Sequence, residues 1–63
     1  MTSSKPAHLL LVDEDPGLLK LLGMRLVSEG YRVVTAESGQ EGLKVISRDN
    51  IDVVIIDLRM VEI

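Results

Sequence analysis

Four carboxylates stand where chemistry could gather: Asp13, Glu14 and Asp15 directly after the apolar run His8-Leu9-Leu10-Leu11-Val12, and Asp57 directly after the run of residues 51–56. Carboxylates crowded together repel and drive one pKa upward unless a cation joins them. An all-oxygen donor set with room for water suits Mg2+, or Mn2+, far better than zinc. A carboxylate beside such a cation can attack a phosphoryl group and become an aspartyl phosphate. On this reading Asp57 is the candidate nucleophile, and Asp13, Glu14 and Asp57 are the candidate metal ligands. Each acid taken singly has a plainer role: Asp15 as a helix cap, Asp13 and Glu14 as solvated loop charges, Asp57 as a turn residue. Only the joint arrangement points to chemistry.

That arrangement depends on the elements that carry the acids. A short, continuous apolar run bounded by polar residues has the pattern of a strand buried on both faces, which sets a first strand at 8–12. Asp15 suits the cap and Pro16 the first position of a helix over 16–29, and Gly30 is placed to end it. Leu18, Leu19, Leu22 and Leu26 gather on one face of that helix. The β-branched and aromatic stretch 31–35 predicts a second strand. Ser38-Gly39-Gln40-Glu41 matches a capping box for a second helix over 39–48, with Leu43, Val45 and Ile46 as its buried side. The third apolar run predicts a strand over 51–58, with a second reading that extends it to 63. Strand, helix, strand, helix, strand with short connections implies two right-handed crossovers and a parallel sheet: an α/β fold, the βαβαβ half of a flavodoxin-like doubly wound sheet of order 2-1-3. In that order the first and third strands are neighbours about 4.8 Å apart, and the acids at their ends share one rim. His8 reads as a strand-entry residue, and Met24 and Met60 as packing.

Composition narrows the function classes. The chain has 63 residues, 46% of them hydrophobic, a formal charge of −3 and no cysteine, so disulfides and thiolate metal sites are ruled out. A domain this small buries only about 60% of the surface its unfolded chain exposes, and oxygen-held metal or self-association is then the expected support. Without a Lys/Arg cluster, and with Tyr31 as the single aromatic, the segment is not expected to contact nucleic acid directly. After the first strand the chain has Asp13-Glu14-Asp15-Pro16 in place of a glycine-rich phosphate cradle, which argues against dinucleotide binding. Residues 1–7 read as a flexible leader without a signal-peptide core, and no apolar run is long enough to span a bilayer, so the expected location is cytoplasmic, away from membranes.

Residues 9–16 (Leu-Leu-Leu-Val-Asp-Glu-Asp-Pro), 37–43 (Glu-Ser-Gly-Gln-Glu-Gly-Leu) and 52–60 (Asp-Val-Val-Ile-Ile-Asp-Leu-Arg-Met) together resemble the receiver domain of two-component response regulators. The likeness covers nearly all of the chain after the leader. It is nearest to receivers at the front of NtrC-like, enhancer-binding transcription regulators of the GlrR (QseF) type. The resemblance implies that Asp57 accepts a phosphoryl group from the phosphohistidine of a sensor histidine kinase. It further implies that Glu14 ligates Mg2+ directly, that Asp13 acts largely through water, and that Arg59 lends its backbone carbonyl. The expected role is a phosphorelay signalling module, not an enzyme with turnover on free substrate.

The family's pattern continues after Met60 with further helices and strands that supply a Thr or Ser hydroxyl and a Lys to the phosphoryl oxygens, and this sequence has Val61-Glu62-Ile63 there. The expectation is a truncated receiver domain over 8–63 holding half of the site. Its third strand would then be an unpaired apolar edge, a template for association, so a homodimer through that strand is expected. The alternative is a truncated or engineered receiver fragment that folds as a homo-oligomer and has no phosphotransfer activity.

Overall fold

The computed structural model describes residues 5–56. β1 (His8–Val12), α1 (Pro16–Ser28), β2 (Arg32–Ala36), α2 (Gly39–Arg48) and β3 (Val53–Ile56) follow one another in a parallel sheet of order β2-β1-β3. This is the expected 2-1-3 arrangement. β1 lies in the middle, paired from His8↔Arg32 to Val12↔Ala36 on one side and from Leu9↔Val53 to Val12↔Ile56 on the other. All five of its residues are buried, which is why the run shows no polar alternation.

Each helix begins and ends on local chemistry. Asp15 accepts backbone N–H bonds from Gly17 and Leu18 at the start of α1. At its end the Tyr31 N–H donates to Leu26 C=O and the Gly30 N–H to Val27 C=O, the paired bonds of a Schellman motif. That motif needs a left-handed residue, and Gly30 supplies it with φ +100°. At α2 the Ser38 hydroxyl accepts from the Glu41 N–H. The Glu41 carboxylate returns to the Glu37 N–H at 2.7 Å, one residue ahead of the usual capping-box donor.

The helices pack on opposite faces, because the chain moves outward from β1 to β2 and then back past β1 to β3 with right-handed crossovers both times. α1 rests on the face of Val33 and Thr35, which approach Gly23. α2 rests on the face of Leu10, Val12 and Ala36, and with Val45 these form the core, flanked by Val34 and Ile51.

The helix faces agree with expectation at Leu19 and Val45 and differ at the other leucines and at Ile46. α2 meets the sheet through Gly42 and Val45, while Leu43 and Ile46 are exposed. α1 meets it through Leu19 and Gly23; Leu18 and Leu26 are half-buried and Leu22 is exposed. On α2 the reason is Gly42, where a Cβ would already be 3.1 Å from Val12, so the contact line runs through it; on α1 Leu19 is buried while Leu22 borders an open groove beside β3. Leu43 and Ile46 then border an apolar groove over Val54 and Ile56, and Leu18 and Leu22 a second one over Ile55 on the other face.

Element bounds also differ in detail. α1 ends at Ser28, one residue before 29, because the Schellman bonds close there. β2 runs one residue later than 31–35, since Tyr31 is used in that closure. β3 begins at Val53 and not at 51, because Ile51 packs against the core and Asp52 turns its carboxylate back onto the His8 N–H. The continuation of that strand to 58 or 63, the start of the leader, and Met60 lie outside the described residues.

A methyl added at Gly23 would sit 3.8 Å from Val33, an ordinary contact, whereas one at Gly42 would already be 3.1 Å from Val12. Gly23→Ala is therefore expected to stabilise the chain by up to about 1 kcal/mol through helix propensity. Gly42→Val, which overpacks the core side of α2, is expected to destabilise it by about 1–3 kcal/mol. Urea denaturation of both variants checks the pair of signs.

Candidate functional site

The carboxyl ends of β1 and β3 finish level, with Val12 opposite Ile56 as the last register pair. Here the chain order reverses direction, the place where open α/β sheets collect ligands. Asp13 follows β1 and is buried, 5% exposed. Its backbone N–H donates to Ala36 C=O at 3.1 Å, continuing the β1–β2 ladder by one step. Its carboxylate Oδ1 accepts the Asp15 N–H at 2.9 Å, which folds the loop over the end of the strand. A carboxylate in so buried a position requires polar partners.

The neighbouring acids divide the work. Asp15 is exposed and its Oδ1 caps α1 at 3.0 and 3.3 Å from the Gly17 and Leu18 N–H groups. Glu14, between them, is exposed to solvent at the same rim. Three consecutive acids thus take three positions: one turned into the sheet end, one in water, one committed to the helix. A cleft of about 190 Å³ lined by Val12, Ile55, Ile56 and Leu18, Leu19 and Leu22 of α1 opens beside Asp13.

Asp57 and Arg59 lie outside the described residues. Among the described residues no group of three His, Asp or Glu side chains could hold a metal ion. Asp13 and Glu14 offer only oxygen donors at adjacent positions on one rim, a chemistry that fits a hard cation in type.

A second set of charged groups lies elsewhere. Asp49, at the C-cap of α2, is held below the ordinary carboxylate range by its hydrogen bond from Arg48, and the Arg48 guanidinium is raised by the same contact. That pair is at the opposite end of the sheet, as are Asn50, Asp52 and His8, so charge chemistry is present at both rims. In the sequence Asp52 falls within the third apolar run, with no separate role expected of it.

The sequence model of the response regulator receiver domain family matches residues 9–63. The chain is 75% identical over 60 residues to the transcriptional regulatory protein GlrR of Escherichia coli strain K12, covering 95% of this chain and 14% of that protein. The same figures hold for the transcriptional regulatory protein QseF of Escherichia coli O157:H7. The chain thus spans about one seventh of the length of these relatives, 14% of each. Among solved structures, a response regulator receiver domain protein from Clostridium thermocellum superposes with a TM-score of 0.81 at 34% identity, over 90% of this chain and 47% of that one.

Asp15→Ala removes the cap without touching Asp13 directly and is expected to cost about 0.5–2 kcal/mol of stability. Asp15→Ser should recover most of it. Thermal or urea unfolding of the two variants side by side gives the measurement, and equal stability of Asp15→Ala and the parent would remove the capping role.

Proposed function

This chain belongs to the response regulator receiver domain family, and on that premise we propose that Asp57 is a phosphoacceptor taking its phosphoryl group from the phosphohistidine of a sensor histidine kinase. One carboxylate oxygen of Asp57 bonds to phosphorus as the phosphorus–nitrogen bond breaks, and the electron pair stays on the imidazole nitrogen. The observation that carries this reading is the Val12↔Ile56 register. Asp13 follows Val12 and Asp57 follows Ile56 in the chain, and consecutive Cα atoms are about 3.8 Å apart, which supports the reading that the two acids act together.

Asp13, Glu14 and Asp57, with the backbone carbonyl of Arg59, would hold Mg2+ or Mn2+. The chemistry such a cation supplies when bound is neutralisation of the charge on the carboxylates and the phosphoryl oxygens. The chain's own groups do the positioning. Asp13 is anchored by the Asp15 N–H, and Glu14 is the solvent-exposed acid next to it.

The domain acts as an acceptor and not as a turnover enzyme. We read its parent as a cytoplasmic transcription regulator, on the strength of its relatives' names, and assign no direct nucleic-acid or membrane contact to this segment. No helix of the described residues is long and apolar enough to cross a membrane.

A second reading is favoured by one observation. Val53, Val54, Ile55 and Ile56 are 48%, 38%, 44% and 51% exposed, on a strand whose partner among the described residues is β1 alone. An apolar, uncharged edge of this kind is a template for another strand. A second copy of the chain, pairing β3 to β3 about a two-fold axis, would meet no charged side chain within Val53–Ile56. Such a homodimer is compatible with phosphotransfer, or replaces it if the chain is an interaction fragment alone.

Two measurements decide. Incubation with a small phosphodonor should give Mg2+-dependent label that is lost in Asp57→Asn; no label at saturating Mg2+ supports the interaction fragment. Sedimentation at micromolar protein should give a dimer that Val54→Lys returns to monomer, whereas a folded monomer in the parent chain rejects the pairing.

A further inference from the structure

Strand register is normally set by burial: slipping one residue turns the apolar face outward. β3 lacks that protection. Its four residues are all apolar and nearly equally exposed, so exchange of its two faces costs little burial. Both faces border apolar grooves, and β3 is paired to β1 on one side only. Something other than hydrophobic patterning has to choose the alignment Leu9↔Val53 through Val12↔Ile56.

The entrance to the strand holds a polar knot suited to the task. The His8 N–H donates to Asp52 Oδ2 at 2.8 Å. The Asp52 N–H donates back to the His8 carbonyl, also at 2.8 Å. The His8 imidazole Nδ1 lies 2.9 Å from the Asn50 carbonyl; since a carbonyl oxygen only accepts, Nδ1 carries the proton. His8 is 8% exposed, so its backbone groups have little water to fall back on. A slip of one residue moves position 52 by about 3.3 Å along β1. It takes the Asp52 carboxylate away from the His8 N–H and leaves that donor without its acceptor, while the His8 carbonyl can still accept from whichever backbone N–H slides opposite it.

We propose that Asp52, acting with His8, is a register lock for β3 and thereby a positioning residue for the opposite rim. The functional half of this statement rests on the phosphoacceptor reading above. The geometric half does not. The same slip that breaks the knot would shift the residue after Ile56 by about 3.3 Å relative to Asp13. A displacement that large would put the end of β3 out of level with the end of β1, where Asp13 and Glu14 stand. Asp52 touches no reacting atom, since it stands just before β3, at the rim opposite Asp13; its action is on alignment alone.

Backbone NOEs between register partners test the lock without any phosphoryl chemistry. In the parent chain Leu10 should report both Val34 of β2 and Val54 of β3. Asp52→Ala is expected to keep the Leu10–Val34 set and to lose the Leu10–Val54 set or replace it with partners shifted along β3. Asp52→Asn, which keeps an accepting oxygen at the same reach, should restore the parent pattern. Retention of every β1–β3 partner in Asp52→Ala overturns the proposal. If Asp52→Ala unfolds altogether, Asp52→Asn decides: parent partners support the lock, and unfolding of that variant too overturns it. A parent chain with the expected NOEs that takes no phosphoryl label would discard the phosphoacceptor reading and leave the lock standing.

Discussion

Burial of β1 between two parallel neighbours is the constraint on which the rest of the molecule depends. Leu9, Leu10, Leu11 and Val12 are each 5% exposed or less, and a fully buried side chain of this size is worth about 1.5–3 kcal/mol. Only a strand with partners on both edges and a helix on each face can satisfy its backbone while hiding every side chain. The crossover rule then leaves little choice, with β2 on one side and β3 on the other. The reversal of direction at β1 puts the carboxyl ends of β1 and β3 side by side.

What happens at that rim follows from where polar groups are tolerated. Asp13 can be buried because the Asp15 N–H binds its carboxylate and its own N–H reaches Ala36. Asp15 in turn is committed to the first turn of α1. One short acidic stretch thus stiffens the loop, starts the helix and holds a carboxylate at the sheet end. The relation to the receiver family adds a meaning to this rim that geometry alone does not supply, because one fold carries many functions. The geometry contributes the condition that any shared chemistry of the acids requires, level strand ends.

Much of this was legible in the residues. Continuous apolar runs gave the strands, and Asp15, Pro16, Gly30, Ser38 and Glu41 marked helix ends through donors and acceptors that act locally. Periodicity was less informative about helix faces. It weighs large apolar side chains, so it selected Leu43 and Ile46 on α2, whereas the contact line passes through Gly42, which packs by having no side chain. The leucines of α1 divided too, Leu19 being buried while Leu22 borders the groove over β3. Asp52 was unreadable as a tie to His8 because its partner is 44 positions away, and a one-dimensional pattern carries no information on such pairs. Of the site, the sequence made Asp13, Glu14 and Asp57 legible as types and spacing; it could not distinguish the buried carboxylate from the exposed one, which depends on how the loop after β1 folds back.

The central claim is that the acids following β1 and β3 share one rim and together hold a hard divalent cation. Paramagnetic broadening by substoichiometric Mn2+, read on assigned amide resonances, tests it most directly. The account predicts that Asp13, Glu14, Ile56 and Asp57 broaden first, while His8, Asn50 and Asp52 at the other rim remain sharp. Broadening centred on Asp49 and Asp52, or spread evenly over the acidic residues, would contradict it.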